Sequence, residues 1–332
     1  MVTRILSENE QDLRLAGEII AAGGLVAFPT ETVYGLGANA LDPDAVRKIY
    51  EAKGRPSDNP TIVHIADESA LKQLTWRVTP DMQRLARKYW PGPLTMVVPR
   101  RDTVPNVTTG NLDTVGVRMP DHVTARALIQ AAGCPIAAPS ANLSGKPSPT
   151  TVEHVIDDMD GRIDAIIRST PCTIGIESTV IDMTGELPMI LRPGFITRED
   201  VERTLGKDIL VDPTLNEKPE PGVEFRPKAP GMKYKHYAPE ADMIIFEGET
   251  EAVEAAMDEE RAERESLGQK VVVIRYSQED TETAAHEFFA ALREADKDKA
   301  DIILAAALPQ EGIGFSVMNR MLKSAGYNVR KV

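Results

Sequence analysis

Two cations one residue apart stand in the run Lys53-Gly54-Arg55-Pro56-Ser57-Asp58-Asn59-Pro60, and fixed positive charges at that spacing suit a polyanion such as a triphosphate. Gly54 frees the backbone between them. Pro56 and Pro60 fix φ nearby, which lowers the entropy lost when Lys53 and Arg55 close on a ligand. The same run also reads as an ordinary basic turn with a proline stop. Arg118 ends the otherwise apolar segment Thr114-Val115-Gly116-Val117-Arg118, as a carboxylate clamp would, or as an edge-strand arginine in a surface ion pair would. His64 lies inside the apolar run Thr61-Ile62-Val63-His64-Ile65, where a histidine is more often structural than a ligand. Residues 140–151 bring Ser140, Asn142 and Ser148 together, hydroxyls and amides that hold phosphate oxygens or an amino acid without stranding charge. Ser178 opens one apolar run and Arg192 closes another against Pro193-Gly194; taken singly, each reads as structural.

The elements that must position these residues alternate in type. Residues 8–22 carry a helical pattern stopped by Gly23-Gly24, and a buried strand follows over 25–28. Residues 29–37 then read as a glycine- and hydroxyl-rich loop at that strand's C-terminal end, where open α/β sheets bind ligands. This loop lacks the Gly-Lys-Ser/Thr of a Walker A turn and the spacing of a dinucleotide fingerprint. Helical patterns recur over 45–50, 80–90 and 123–132, and strand patterns over 61–65, 94–98, 113–120, 135–139, 164–168, 178–183 and 189–192. The Lys53–Arg55 run is thus a helix-to-strand loop, and Trp90-Pro91-Gly92-Pro93 is a hard architectural turn.

At 332 residues the chain is long for one core and predicts two domains. A net charge of −13 argues against a broad electrostatic footprint on nucleic acid or on an anionic membrane. Any anion must be held by local cations. The two cysteines, Cys134 and Cys172, form neither a disulfide framework nor a metal-ligand spacing, and no apolar run approaches a membrane span. A soluble, cytoplasmic protein is expected.

Seven segments together, residues 29–37, 53–60, 90–95, 117–120, 139–150, 175–182 and 191–194, resemble the YrdC-type threonylcarbamoyl-AMP synthases, in order across roughly residues 5–205. The family's Lys-x-Arg and distant Ser-x-Asn are met by Lys53/Arg55 and Ser140/Asn142. The later region looks like the extra domain of the family's two-domain branch. The resemblance implies an α/β fold with a twisted, concave mixed sheet and flanking helices, plus a smaller Rossmann-like C-terminal domain. It implies synthesis of L-threonylcarbamoyl-AMP from L-threonine, bicarbonate or CO2 and ATP with release of pyrophosphate, for position 37 of tRNAs reading ANN codons. By the same resemblance Lys53, Arg55, Ser140 and Asn142 form the catalytic tetrad, and Thr32, His64, Arg118, Ser140 and Ser178 contact threonine. ATP falls to Lys53, Arg55, Asn59, Thr114, Asn142, Ser148, Arg192 and Tyr237. Mg2+ is expected to ride on the triphosphate, because no carboxylate cluster marks a metal site.

The boundaries expected are a catalytic domain over 1–211, a linker over 212–240 and a Rossmann-like domain over 241–332, where strand patterns at 243–246, 271–274 and 302–304 alternate with helical ones at about 249–266, 281–295 and 313–325. Six prolines punctuate the linker, and its run from Arg226 to Tyr237 reverses the sign of the chain; the default reading is a tether. The corresponding family segment folds over the nucleotide, which implies a lid carrying Tyr237 with Gly231 as hinge. Gly312-Ile313-Gly314 reads as a helix-start turn. Expected partners are the substrates, a downstream threonylcarbamoyl transferase and at most a weak RNA contact, with no membrane. Two other readings stand beside this one: an RNA-binding or ribosome-associated module, disfavoured by acidity and by only 5% aromatic residues, and transfer of an unsubstituted carbamoyl group, which needs a carbamoyl-phosphate module this chain lacks.

Overall fold

The computed structural model describes residues 2–215, 227, 229 and 237–332. Most of the 212–240 linker, including Gly231 and all of its lysines, therefore lies outside the described residues. Eleven strands form one sheet: β1 (Arg4–Leu6), β2 (Val26–Phe28), β3 (Gly35–Asn39), β4 (Ile62–His64), β5 (Leu94–Pro99), β6 (Thr114–Arg118), β7 (Ile136–Ala137), β8 (Ala165–Ile167), β9 (Thr179–Asp182), β10 (Met189–Arg192) and β11 (Leu210–Val211). Their order is β1-β8-β2-β3-β7-β4-β6-β5-β9-β10-β11, with parallel and antiparallel neighbours mixed. Helices α1 (Glu10–Ala21), α2 (Pro43–Lys53), α3 (Leu71–Leu74), α4 (Pro80–Tyr89), α5 (Val123–Ala132), α6 (Val152–Met159) and α7 (Arg198–Leu205) flank it. Apolar clusters lie on both faces, one holding Leu36, Ile49, Val63 and Val117, the other Ile20, Phe28, Leu128 and Ile136.

A second sheet of four parallel strands, β12 (Asp242–Glu247), β13 (Val271–Ile274), β14 (Ile302–Ala306) and β15 (Val329–Lys331), runs in the order β13-β14-β12-β15. Helices α8 (Thr250–Ser266), α9 (Thr281–Lys297) and α10 (Gly312–Ser324) connect its strands. This is the Rossmann-like layer expected from the alternation of strand and helix patterns, and Gly312 opens α10 as the predicted helix-start turn. The C-terminal domain docks through polar groups: Arg293 of α9 donates to the Pro147 carbonyl and pairs with Asp158 at 2.7 Å. Gly175 sits so close to α9 that a Cβ there would stand 2.4 Å from the His286 carbonyl oxygen.

Local chemistry sets the helix ends that matter. Asp42 caps α2 by accepting from the Asp44 and Ala45 amides, Pro43 occupies the first turn, and Gly54 stops the helix in the left-handed region at φ 61°. Lys53 is therefore the last helical residue and Arg55 the first beyond the stop. Sequence and structure differ at 35–37, read as loop but folded as β3. Phe28 pairs with Gly35 and Val26 with Gly37 in antiparallel register, and a Cβ on Gly37 would stand 2.9 Å from Phe28 and Ile136 side-chain atoms. The glycines serve close strand packing, and only residues 29–34 form the turn. Strands β1, β11 and β15 and helices α3 and α7 carried no expectation. The strands are two or three residues long and pair with distant segments, as Arg4 does with Ala165, so no local periodicity announces them.

Candidate active site

The strand register assembles a row of polar side chains across the middle of the large sheet. His64 on β4 faces Arg118 on β6, Arg118 faces Thr95 on β5, and Thr95 hydrogen-bonds Ser178, which immediately precedes β9, at 2.8 Å between hydroxyls. An isolated bridge sets Ser140 opposite Gly35. A cleft opens above this row, and Thr32, Arg55, His64, Arg118, Ser140, Ser178, Arg192 and Tyr237 all line it, with Thr30 and Glu177 beside them. These residues are drawn from segments more than 200 positions apart.

Arg118 is 4% exposed. Its Nε donates to the Gly92 carbonyl at 3.3 Å and one terminal nitrogen to Thr32 Oγ1 at 3.0 Å, while Nη2 lies 2.6 Å from Glu31 Oε1. That last approach is off the N–H axis. Arg118 Nη2 and both Glu31 oxygens consequently lack a directed hydrogen bond among the described residues. The turn at 90–93, read as architecture, is thus the seat of the arginine through the Gly92 carbonyl.

His64 is held neutral: burial and the neighbouring Arg118 guanidinium push its imidazole down to about 3. Its Nδ1 lies 3.2 Å from the Ile62 carbonyl. Because the folded value sits below the ordinary 6.5, the contribution to stability is complete above that pH and is lost as pH falls toward 3, at up to about 1.4 kcal/mol per pH unit. His64→Gln should flatten the fall in urea midpoint between pH 6.5 and 4.5 by about one proton's worth. Equal slopes in the two proteins would contradict the buried neutral imidazole.

The Lys-x-Arg and Ser-x-Asn pairs meet, chiefly through backbone carbonyls, with Lys53 Nζ also 3.5 Å from Asn142 Oδ1. Lys53 Nζ, on a side chain almost wholly buried, donates to the Ser140 and Asn142 carbonyls, both at 2.5 Å. Burial, then Arg55, holds its amine well below 10.5. Arg55 reaches the cleft, donating to the Asn59 and Pro60 carbonyls with its guanidinium 5.9 Å from the Tyr50 ring centroid. Asn142 turns its amide to the Leu143 and Lys146 carbonyls. Lys53, Asn59, Thr114, Asn142 and Ser148 do not line the cleft itself. Asn59 is nevertheless 1% exposed with neither side-chain polar atom bonded among the described residues. Thr114 stands at the far end of β6 on the Arg118 face, roughly 13 Å along the strand at about 3.4 Å per residue. Ser148 donates to Glu177 Oε1 at 2.5 Å, and the Tyr237 hydroxyl also hydrogen-bonds Glu177.

Sequence reasoning passed over Glu31, Thr30, Thr95 and Glu177. Glu31 stood between Thr30 and Thr32 in a loop already singled out, and Glu177 directly before Ser178. A lone acidic residue beside a hydroxyl gives no signal until its buried cationic partner is known.

Taken together, the concave mixed sheet and a cleft carrying buried arginines beside an amino-acid-sized row of hydroxyls and imidazole define an α/β enzyme built to bind small anionic substrates. Residues 18–194 match the family described as Telomere recombination, which groups Sua5, YciO and YrdC, and residues 196–326 match the family described as Threonylcarbamoyl-AMP synthase, C-terminal domain. The chain is 47% identical to the threonylcarbamoyl-AMP synthase of Pyrococcus abyssi, with 98% of this chain and 97% of the relative covered. It is 46% identical to that of Bacillus subtilis over 99% and 97%. The crystal structure of Pyrococcus abyssi Sua5 complexed with L-threonine superposes with a TM-score of 0.93 at 46% identity, both chains covered completely. The chain belongs to the two-domain Sua5 family of threonylcarbamoyl-AMP synthases, enzymes of nucleotidyltransferase type. No helix among the described residues is long and apolar enough to cross a membrane.

Proposed function

We propose that this protein makes L-threonylcarbamoyl-AMP from L-threonine, bicarbonate or CO2 and ATP, releasing pyrophosphate, and that the product supplies the threonylcarbamoyl group at position 37 of tRNAs reading ANN codons. One observation carries the reading: a single cleft holds a row fitted to an amino acid, His64–Arg118 with Thr32 and Ser178, beside arginines fitted to phosphate, Arg55 and Arg192. The L-threonine complex of the Pyrococcus abyssi relative supports threonine as the amino acid.

In this reading the threonine amine captures CO2 as a carbamate, whose oxygen bonds to the α-phosphorus while the bond to the β-phosphate oxygen breaks and pyrophosphate leaves. The attacking group is already an anion, so the step needs charge neutralisation and in-line placement more than a strong base. Arg118 takes the threonine carboxylate with its two terminal nitrogens, one of which Glu31 approaches off-axis, and neutral His64, Thr32, Ser140 and Ser178 supply hydrogen bonds. Arg55 and Arg192 take the phosphates. Lys53 joins the loops that carry Arg55 and Ser140, and Asn59, Thr114, Asn142 and Ser148 complete the nucleotide side. Mg2+ would arrive on the phosphate oxygens of the triphosphate. Residues 1–211 carry the chemistry, Tyr237 joins the nucleotide side of the cleft, and 241–332 hold Tyr237 there, in a cytoplasmic enzyme.

The test is pyrophosphate release by purified protein with ATP, Mg2+ and bicarbonate, with and without L-threonine, beside Ser140→Ala. Threonine-dependent release, lost in the variant and not restored by serine at equal concentration, is expected. Release indifferent to threonine in folded protein would overturn the proposal, and salt-sensitive RNA binding without turnover would move the assignment to the RNA-binding reading.

A further inference from the structure

We propose that Glu177 and Arg320 form a buried cross-domain pair that positions Arg192 and Tyr237 for the triphosphate, so that the C-terminal domain sets nucleotide affinity through one carboxylate. The inference rests on the function proposed above and assigns that site two positioning residues. Arg320 on α10 is fully buried. Its Nε lies 3.2 Å from Glu177 Oε2, and its other nitrogens donate to the Pro193 carbonyl, to Ser316 O at 3.1 Å and to Glu177 O at 3.5 Å. One guanidinium from the second domain therefore grips the residue before Ser178 and the residue after Arg192.

Those two stretches are already joined. Arg192 donates through Nε and Nη2 to Ser178 O, at 3.1 and 3.0 Å, and through Nη2 to Ser178 Oγ at 3.1 Å. Glu177 in turn collects the Ser148 hydroxyl and the Tyr237 hydroxyl. Ser148 and Tyr237 thus meet on one carboxylate, Arg192 is tied to the next residue, Ser178, and from the other domain the carboxylate is faced by Arg320 in direct contact and by the buried Lys323 beyond it. Burial alone would raise the Glu177 carboxyl; Arg320, Arg192 and the Ser148 hydroxyl outweigh it and hold the group below the usual carboxylate range. It is therefore an anion at neutral pH.

Tyr237 shows what the second domain holds in place. Its φ is 63°, an uncommon left-handed conformation for an aromatic residue. The Ser324 hydroxyl of α10 donates to its carbonyl at 2.9 Å, its ring lies 5.0 Å from that of Phe289 on α9, and the next amide, of Ala238, donates to Gly145 O at 2.8 Å. The backbone is fixed from both domains while the hydroxyl end is fixed by Glu177. An apolar contact would dock the domains at no desolvation cost. A carboxylate aims three donors at one point.

The experiment measures ATP and threonine binding separately by calorimetry, each without the other, for the full-length protein and for Glu177→Gln, Arg320→Gln, the double variant and Arg320→Lys. Each single glutamine variant is expected to weaken ATP binding about tenfold, the size of one charge-assisted hydrogen bond, with threonine affinity within about twofold. The double variant should be no weaker than the worse single one, since both act through the same contact. Arg320→Lys keeps the buried charge and the fold but loses the fork, and should also weaken ATP binding. Unchanged ATP affinity in the glutamine variants, additive losses in the double variant, or equal losses of ATP and threonine binding tracking a lower melting temperature would overturn the inference. A full-length protein that binds ATP but shows no threonine-dependent turnover sinks the synthase reading alone, and the ATP affinities still decide this one. Absence of ATP binding in the full-length protein sinks both.

Discussion

Arg118→Gln is expected to lower kcat/KM for threonine by about 10²–10³-fold, mostly through KM, while ATP affinity stays within a few-fold. A carboxylate bound by two charge-assisted hydrogen bonds gains on the order of 1.5–3 kcal/mol from each, and glutamine supplies neither the charge nor the fork. The same variant strips Glu31 of the cation 2.6 Å from it in a site where both side chains are almost wholly buried. Leaving that carboxylate uncompensated should cost roughly 3–5 kcal/mol of stability. The two effects separate in the double variant Arg118→Gln/Glu31→Gln, which removes the stranded charge: urea unfolding should return most of the stability, and threonine binding should stay lost. Threonine affinity that recovers along with stability would show that Arg118 acts only as a buried counter-ion.

Lys53→Ala is expected to reduce turnover by about 10²–10³-fold, the usual size of losing one preorganised electrostatic group. Its ammonium bridges the Ser140 and Asn142 carbonyls, so the variant loosens the junction between the loop carrying Arg55 and the loop carrying Ser140 and also removes a cation. Lys53→Arg should fail to restore activity, because a planar fork does not fit a point between two carbonyls. The lysine also sets an upper pH limit. Burial and Arg55 hold its amine well below 10.5; its charge, and activity with it, is lost as pH rises through that lowered value. Steady-state pyrophosphate release against pH, with melting temperatures beside it, measures both. Full activity in Lys53→Ala would remove the tetrad from the account.

The fold was legible wherever local pattern and global placement agree. The strand pattern ending at Arg118, the Gly54 stop after Lys53 and the alternation of strand and helix beyond residue 241 each state their element in a few consecutive residues. The concave mixed sheet and the Rossmann-like layer follow from them and from the resemblance. The turn at 29–37 was drawn too long, because glycine is as compatible with a tight antiparallel pair as with a loop, and only the position of Phe28 and Ile136 decides between them. What could not be read were pairings across large separations. The residues around His64 give no reason to place it beside Arg118; only the resemblance puts both on one ligand, and parallel register sets β4 against β6. Glu31 and Glu177 are ordinary acids in sequence and become informative only as buried partners of Arg118 and Arg320. The Lys53 amine, expected to face a ligand, ties two loops chiefly by the Ser140 and Asn142 carbonyls, contacts that no side-chain motif encodes.

The most direct measurement supplies 13C-bicarbonate with ATP, Mg2+ and L-threonine to the full-length protein and identifies the nucleotide product by mass spectrometry. The account predicts threonylcarbamoyl-AMP carrying one labelled carbon, formed in step with pyrophosphate and absent when threonine is omitted. A nucleotide product without the label, or labelled product that forms without threonine, would contradict it.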